Sequence, residues 1–148
     1  MEIERKFTVK ELPENLNDYP CLHIEQGYLN TEPVIRIRKQ NDDYIMTYKG
    51  KGMLAREEYN LPLTKEAYEH LKPKCDGNII SKTRYQIPYG DLTIELDIFD
   101  APFAPLIIAE IEFDSLETAN TFLVPDWFLE DVTYDPKYYN SNMSRQIF

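Results

Sequence analysis

The stretch Met1-Glu2-Ile3-Glu4-Arg5-Lys6-Phe7 opens the chain, and its parity decides the fold. Side chains alternate across a β-strand, so Glu2, Glu4 and Lys6 share one face while Ile3 and Phe7 share the other, with Arg5 the exception. The same parity recurs downstream. Arg36 and Arg38 stand two apart, as do Arg56 and Glu58, Lys82 and Arg84, Glu95 and Asp97, and Glu110 and Glu112. The residues between are largely apolar: Ile35 and Ile37, then Ile94, Leu96 and Ile98, then Ile111 and Phe113.

Working outward from residues 2–9, the alternation predicts further strands over 23–30, 34–39, 44–50, 54–61, 79–87, 91–99 and 105–113. Asn41-Asp42-Asp43 reads as a hairpin turn, and the Pro88-Tyr89-Gly90-Asp91 run as another. Residues 64–72 read as a helix with Thr64 as N-cap and Pro73 as stop, and Asp114-Ser115 open a short helix over 116–122. Residues 135–148 read as a last helix entered through Pro136. Two placements of that tail fit. It plugs one end of the bore with Tyr138, Tyr139 and Asn140 facing in, or it packs outside through Trp127, Phe128 and Ile147.

Eight strands with short connections predict a mainly β fold (α+β): a single domain over 1–148, an antiparallel sheet closed into a tunnel-like barrel and flanked by a few helices. For any one strand, charges on a solvent face would be unremarkable. Taken together they are not, because acids cluster with acids and bases with bases, strand by strand. In a closed barrel the apolar parity faces the helices and the charged parity lines the bore. Dry burial of that many ions would cost several kcal/mol for each unpaired one. The bore must therefore be wet and hold ligands that neutralise it. Guanidinium and ammonium groups (Lys6, Arg36, Arg38, Lys49, Lys82, Arg84) suit a chain of phosphates. The acids (Glu2, Glu4, Asp97, Glu110, Glu112, with Glu58 and Glu95 as further candidates and Arg56 beside them) suit hard divalent cations such as Mg2+ or Mn2+. Phosphates on one wall and metals on the other are what metal-assisted phosphoryl transfer requires.

Composition excludes other classes. The chain has 148 residues, 43% of them hydrophobic, enough for one packed domain, and its net charge of -10 opposes contact with nucleic acid or an anionic membrane. No secretory or membrane-spanning stretch is read, so a cytoplasmic location is expected. Cys21 and Cys75 lack zinc or disulfide spacing. Only His23 and His70 are present, which leaves histidine-based zinc sites and catalytic triads poorly supplied. No Gly-x-x-x-x-Gly-Lys-Ser/Thr loop or Gly-x-Ser-x-Gly elbow occurs, and Lys49-Gly50-Lys51-Gly52 reads as a tight turn. A monomer or a homodimer fits equally.

Glu2-x-Glu4-x-Lys6 resembles the ExExK signature of the CYTH superfamily, the triphosphate tunnel metalloenzymes. The likeness extends over the whole chain, through EQGYL (25–29), VIRIRK (34–39), YKGKG (48–52), REEYN (56–60), KTRY (82–85), ELDIF (95–99), AEIEF (109–113) and the tail from Pro125 to Ser144. The tail resembles that of small bacterial inorganic triphosphatases. The resemblance implies an eight-stranded antiparallel tunnel, with Glu2 and Glu4 as metal ligands opposite Glu110 and Glu112, and Asp97 as a further acid. It implies a triphosphate site made of Lys6, Arg36, Arg38, Lys49, Lys82 and Arg84, with Tyr28 beside them. Two divalent ions, Mg2+ or Mn2+, are implied, with Glu4, Lys6, Lys82 and Glu112 closest to the chemistry. Asn60 departs from the pattern, since the family often has an acid there, and this thins one edge of the site. Class IV adenylate cyclases of the same superfamily carry a His-Phe pair just before ExExK; with Met1 as the start, that pair is missing.

The expected activity is metal-dependent hydrolysis of a triphosphate, most simply inorganic tripolyphosphate to pyrophosphate and phosphate. Thiamine or nucleoside triphosphate hydrolysis and a class IV-type cyclase are the alternatives within the family. A non-catalytic polyphosphate or nucleotide sensor is the alternative outside it, although a sensor would need the bases and not the acids.

Overall fold

The computed structural model describes all 148 residues. Ten strands run β1 (Glu2–Val9), β2 (Cys21–Thr31), β3 (Val34–Gln40), β4 (Asp43–Lys49), β5 (Ala55–Arg56), β6 (Glu58–Pro62), β7 (Asp76–Tyr89), β8 (Leu92–Phe99), β9 (Ile107–Glu112) and β10 (Phe128–Asp131). Three short helices, α1 (Lys65–Leu71), α2 (Leu116–Asn120) and α3 (Asn140–Met143), join them. Thr64 and Ser115 cap the first two as expected, each hydroxyl oxygen accepting from a backbone N–H three residues on.

Every paired ladder is antiparallel, in the order β10-β1-β9-β8-β7-β2-β3-β4-β6. The expected fifth strand is broken at Glu57. Its first half, β5, pairs with β1 through Glu2–Arg56 and Ile3–Ala55, while its second half, β6, pairs with β4. The sheet is thus an open path rather than an unbroken hydrogen-bonded ring, which corrects the closed barrel. Its ends meet because one residue of chain separates the two half-strands. Glu4 N–H adds a bond to Leu54 O at 3.0 Å across the same seam.

The parity argument holds for the outer wall. Ile3, Phe7, Ile94, Leu96, Ala109, Ile111, Phe113 and Phe128 form one buried cluster that α2 and β10 help to cover. Burial of each large side chain of this kind contributes about 1.5–3 kcal/mol. Arg5, the exception in the opening strand, lies on this outer face. Its guanidinium donates to Asp131 Oδ2 and to Ala119 O, both at 2.8 Å, and stacks 4.9 Å from the Phe7 ring centroid.

The inner face follows the expectation only part of the way. At one end the inward parity turns apolar: Tyr28, Val34, Ile80, Phe99 and Ile108 pack together with Phe103 and with Met143 of α3. Residues 135–148 are not one helix but a 3-10 turn (Pro136–Tyr138) followed by α3. The plug placement holds for Tyr139 and Asn140, which line the bore with Ser141, while Tyr138 packs against the apolar cluster instead. Trp127 and Phe128 pack outside, but they precede the tail, and Ile147 is 94% exposed and packs on neither. Gly77, at φ +69, lets the tail approach, because a Cβ there would lie 2.0 Å from Ser144 O. No helix is long and apolar enough to cross a membrane.

Candidate active site

The inward-facing charges enclose a cavity of about 310 Å3. Six carboxylates and seven cations line it, drawn from β1 and β3 to β9, and the tail adds Tyr139, Asn140 and Ser141 where it plugs one end. Lys6, Arg36, Arg38, Lys49, Lys82, Arg84 and Tyr28 all reach it, as do Glu2, Glu4, Glu58, Glu95, Glu110, Glu112 and Arg56. Asp97 is the one expected site residue that does not. It lies behind the wall with no exposure, its two oxygens taking bonds from Arg84 Nε (2.7 Å) and Arg84 Nη2 (2.9 Å), with Lys82 Nζ 2.7 Å away. Those cations hold Asp97 below the usual carboxylate range despite its burial.

β-Register explains the grouping. β1 pairs with β9 so that Glu4 faces Glu112 and Lys6 faces Glu110. Lys6 Nζ stands 3.4 Å from Glu110 Oε1, and Arg84 Nη2 stands 3.4 Å from Glu110 Oε2. Burial opposes ionisation of Glu110, but Lys6 and Arg84 outweigh it and keep the carboxyl well below its ordinary range. Glu95 also receives a bond from Arg84, at 3.2 Å. Burial still pushes Glu95 up.

At the β1–β5–β6 seam, Lys49 Nζ bonds both Glu2 oxygens, at 2.9 and 3.1 Å, and lies 3.3 Å from Glu58. Arg56 Nε adds a looser contact to Glu2 Oε1 at 3.6 Å, which leaves Glu4 and Glu112 without a cation partner. Burial, with Glu4 beside it, pushes Glu2 up to about 8. Burial raises Glu58 as well, yet hydrogen bonding with Glu2, the Lys49 charge and the Asn60 amide bring it down to about 2. Glu112 is raised by burial and then by Glu58 and Glu4. The acid wall is therefore under-neutralised, and its carboxylates repel one another. No three of them converge on a ready-made cage. Hard oxygen donors arranged in this open way fit Mg2+ or Mn2+, which keep positions for water and phosphate oxygens. Asn60 stands on the exposed rim, donates to Glu58 at 2.9 Å and accepts from Thr47 at 2.6 Å, so it adds no charge to the cluster.

The opposite wall has the reverse excess. Arg36 and Arg38 are both 8% exposed, and neither has a carboxylate partner. Arg36 donates to Thr47 Oγ1 at 3.1 Å and leaves its buried Nε without any partner. Burial, then Arg36 and Arg84, pulls Arg38 down to about 9. Lys82 is likewise lowered to about 8: burial outweighs the help of Asp97 and Glu110, and Arg84 and Arg38 add to the lowering. Two desolvated guanidiniums without counter-ions make an anion site.

The sequence reading missed the residues that hold these groups in place. Gln26 lies inside EQGYL, is fully buried, and takes a 2.8 Å bond from Arg38 Nε. Its inward parity was the available signal. Asn140 accepts from Lys82 Nζ at 2.9 Å, and only its place in the tail hinted at the bore.

Four similarities to known proteins accompany this geometry. The CYTH domain family matches residues 1–122. An inorganic triphosphatase of Nitrosomonas europaea is 38% identical over 99% of this chain and 98% of its own. An inorganic triphosphatase of Acetivibrio thermocellus is 37% identical over 99% and 95%. A crystal structure of an inorganic triphosphatase superposes with a TM-score of 0.74 at 35% identity, covering 99% of this chain and 96% of that one.

Proposed function

The chain belongs to the CYTH family, and from that premise we propose that it is a metal-dependent triphosphatase that converts inorganic tripolyphosphate to pyrophosphate and phosphate. The observation that carries this reading is the pair Arg36 and Arg38, buried without counter-ions across the bore from carboxylates that lack enough cations. With every group ionised, six lining acids and Asp97 balance seven lining bases, and the burial that favours a proton on Glu2 leaves the bare site neutral to positive. A tripolyphosphate brings roughly four to five negative charges near neutral pH, since its two terminal groups each carry a second, weaker proton with a pKa of about 6 or above. Two divalent cations would offset most of that charge, which supports a two-ion requirement.

Arg36, Arg38 and Lys82 bind the phosphate chain along one wall, joined by Lys6, Lys49 and Arg84. Asp97 aims Lys82 and Arg84 at the chain, and this engagement takes it out of the metal set. Glu4 and Glu112 are the principal ligands for Mg2+ or Mn2+, with Glu2 assisting; Glu110 shares its oxygens with Lys6 and Arg84. When bound, the ions supply Lewis-acid neutralisation of phosphate oxygens and a water of lowered pKa. Lys6 and Lys82 then stabilise charge developing on the transferring and leaving groups, and no side-chain nucleophile is required. The acidic chain is read as cytoplasmic, without nucleic-acid or membrane partners, and as a monomer or homodimer.

Phosphate release from tripolyphosphate, thiamine triphosphate and ATP, with Mg2+, Mn2+ or EDTA and with a check for cyclic AMP, tests the reading. Tripolyphosphate is expected to be the fastest substrate, with turnover abolished by EDTA. Faster turnover of ATP or formation of cyclic AMP would redirect it, and binding without turnover would make the chain a sensor.

A further inference from the structure

The buried polar network at the end of the cavity that the tail plugs fixes the orientation of two amides. Arginine and lysine side chains can only donate. Arg38 Nε donates to Gln26 at 2.8 Å, so the atom it meets is the carboxamide oxygen, and the other end of Gln26 is its NH2. That Nε2 donates to Asn140 at 3.0 Å and to Tyr28 Oη at 3.3 Å. Lys82 Nζ donates to the same atom of Asn140, at 2.9 Å. Two donors therefore converge on one Asn140 atom, which must be Oδ1. Neither amide can be flipped without setting donor against donor.

The remaining group is Asn140 Nδ2. It has no protein partner, yet it is not among the buried orphan atoms, and Asn140 lines the cavity. Its neighbours on the wall, Lys82 and Arg38, are cations, so an acceptor placed before it would be negatively charged or shared with them. The cavity itself holds about ten waters' worth of volume, at roughly 30 Å3 each. A phosphate group held by Lys82 lies within reach of this amide, since Lys82 Nζ is 2.9 Å from Asn140 Oδ1.

We propose that Asn140 is a substrate-binding residue: its Nδ2–H donates to an oxygen of the phosphate group seated next to Lys82, and Gln26 is the positioning residue that holds it in that orientation. The assignment rests on the triphosphatase reading. It gives the tail, which lies outside the matched family region, a direct contact with substrate.

Calorimetric titration with tripolyphosphate in EDTA tests this without turnover, using wild type, Asn140→Asp and Asn140→Ala. The aspartate variant keeps an acceptor for Lys82 and Gln26 and exchanges the donor for a negative charge. The alanine variant loses the donor without adding charge. Hydrogen bonds to charged groups predict affinity weakened about ten- to a hundredfold in both, with the ligand-free melting temperature of the aspartate variant held. In wild type, the Asn140 side-chain 1H–15N amide resonances are expected to shift on saturation. Unchanged affinity in either variant, or unmoved amide resonances, would overturn the assignment while leaving the triphosphatase reading intact. Absence of binding by wild type would overturn both.

Discussion

Replacement of Asp97 by asparagine keeps volume and removes one charge from the most deeply buried ion cluster. Asp97 has no exposure and satisfies Arg84 Nε and Nη2, at 2.7 and 2.9 Å, and Lys82 Nζ, at 2.7 Å. An asparagine can accept from one of these donors but turns its own NH2 toward another. Breaking a buried pair on one side costs about 3–5 kcal/mol, because the remaining charges are left without compensation. In a chain of this size each kcal/mol lowers Tm by about 2–4 °C, so Asp97→Asn should melt roughly 6–20 °C below wild type. Differential scanning calorimetry of metal-free protein at pH 7 measures it. Added tripolyphosphate should recover part of the loss, since an anion that binds the folded state can offset Lys82 and Arg84. If Asp97→Asn melted within about 1 kcal/mol of wild type, the assignment of Asp97 to holding the bases would be refuted, and a metal-binding role would become the better reading.

Four other outcomes follow from the same geometry. Glu4→Gln and Glu112→Gln should lose most Mg2+-dependent turnover while tripolyphosphate still binds in EDTA; wild-type rates in both would remove them from the metal site. Arg36→Met deletes the orphaned Nε, so it should leave Tm unchanged or raised while weakening tripolyphosphate binding about tenfold or more, measured by calorimetry. Lys82, lowered to about 8 by burial, loses its charge as pH rises, so kcat/KM should fall above about pH 8; kcat should hold to higher pH, because bound phosphate favours the ammonium form. Glu2, raised to about 8, is protonated at pH 7, so Mg2+ binding should release a proton, seen as a buffer-dependent heat of titration.

Much of the fold was legible in period-two alternation, because a sheet with one charged face and one apolar face leaves little freedom of register. The opening strand, 2–9, matches its predicted bounds for that reason. What the pattern could not carry was pairing. Residues 54–61 look like one strand, but the break at Glu57 sends each half to a different neighbour, a tertiary outcome that no local signal marks. β10 was missed because four residues with three exposed side chains show no alternation, and it forms by pairing with β1. The bases of the site were legible as types and positions. Their partners were not: Asp97 and Glu110 read as acids free for metal, yet their oxygens face Lys82, Arg84 and Lys6. Asn140 was legible only as a residue that could face the bore, and Gln26 only by its parity; their roles were not, because neutral amides acquire a role only from what they meet across the fold.

A crystal soaked with tripolyphosphate and Mn2+ examines the central claim most directly, with anomalous scattering to locate the ions. Phosphate oxygens should lie against Arg36, Arg38 and Lys82, with Mn2+ between the chain and the carboxylates of Glu4 and Glu112. Phosphates confined to the outer surface, or manganese away from both carboxylates, would contradict it.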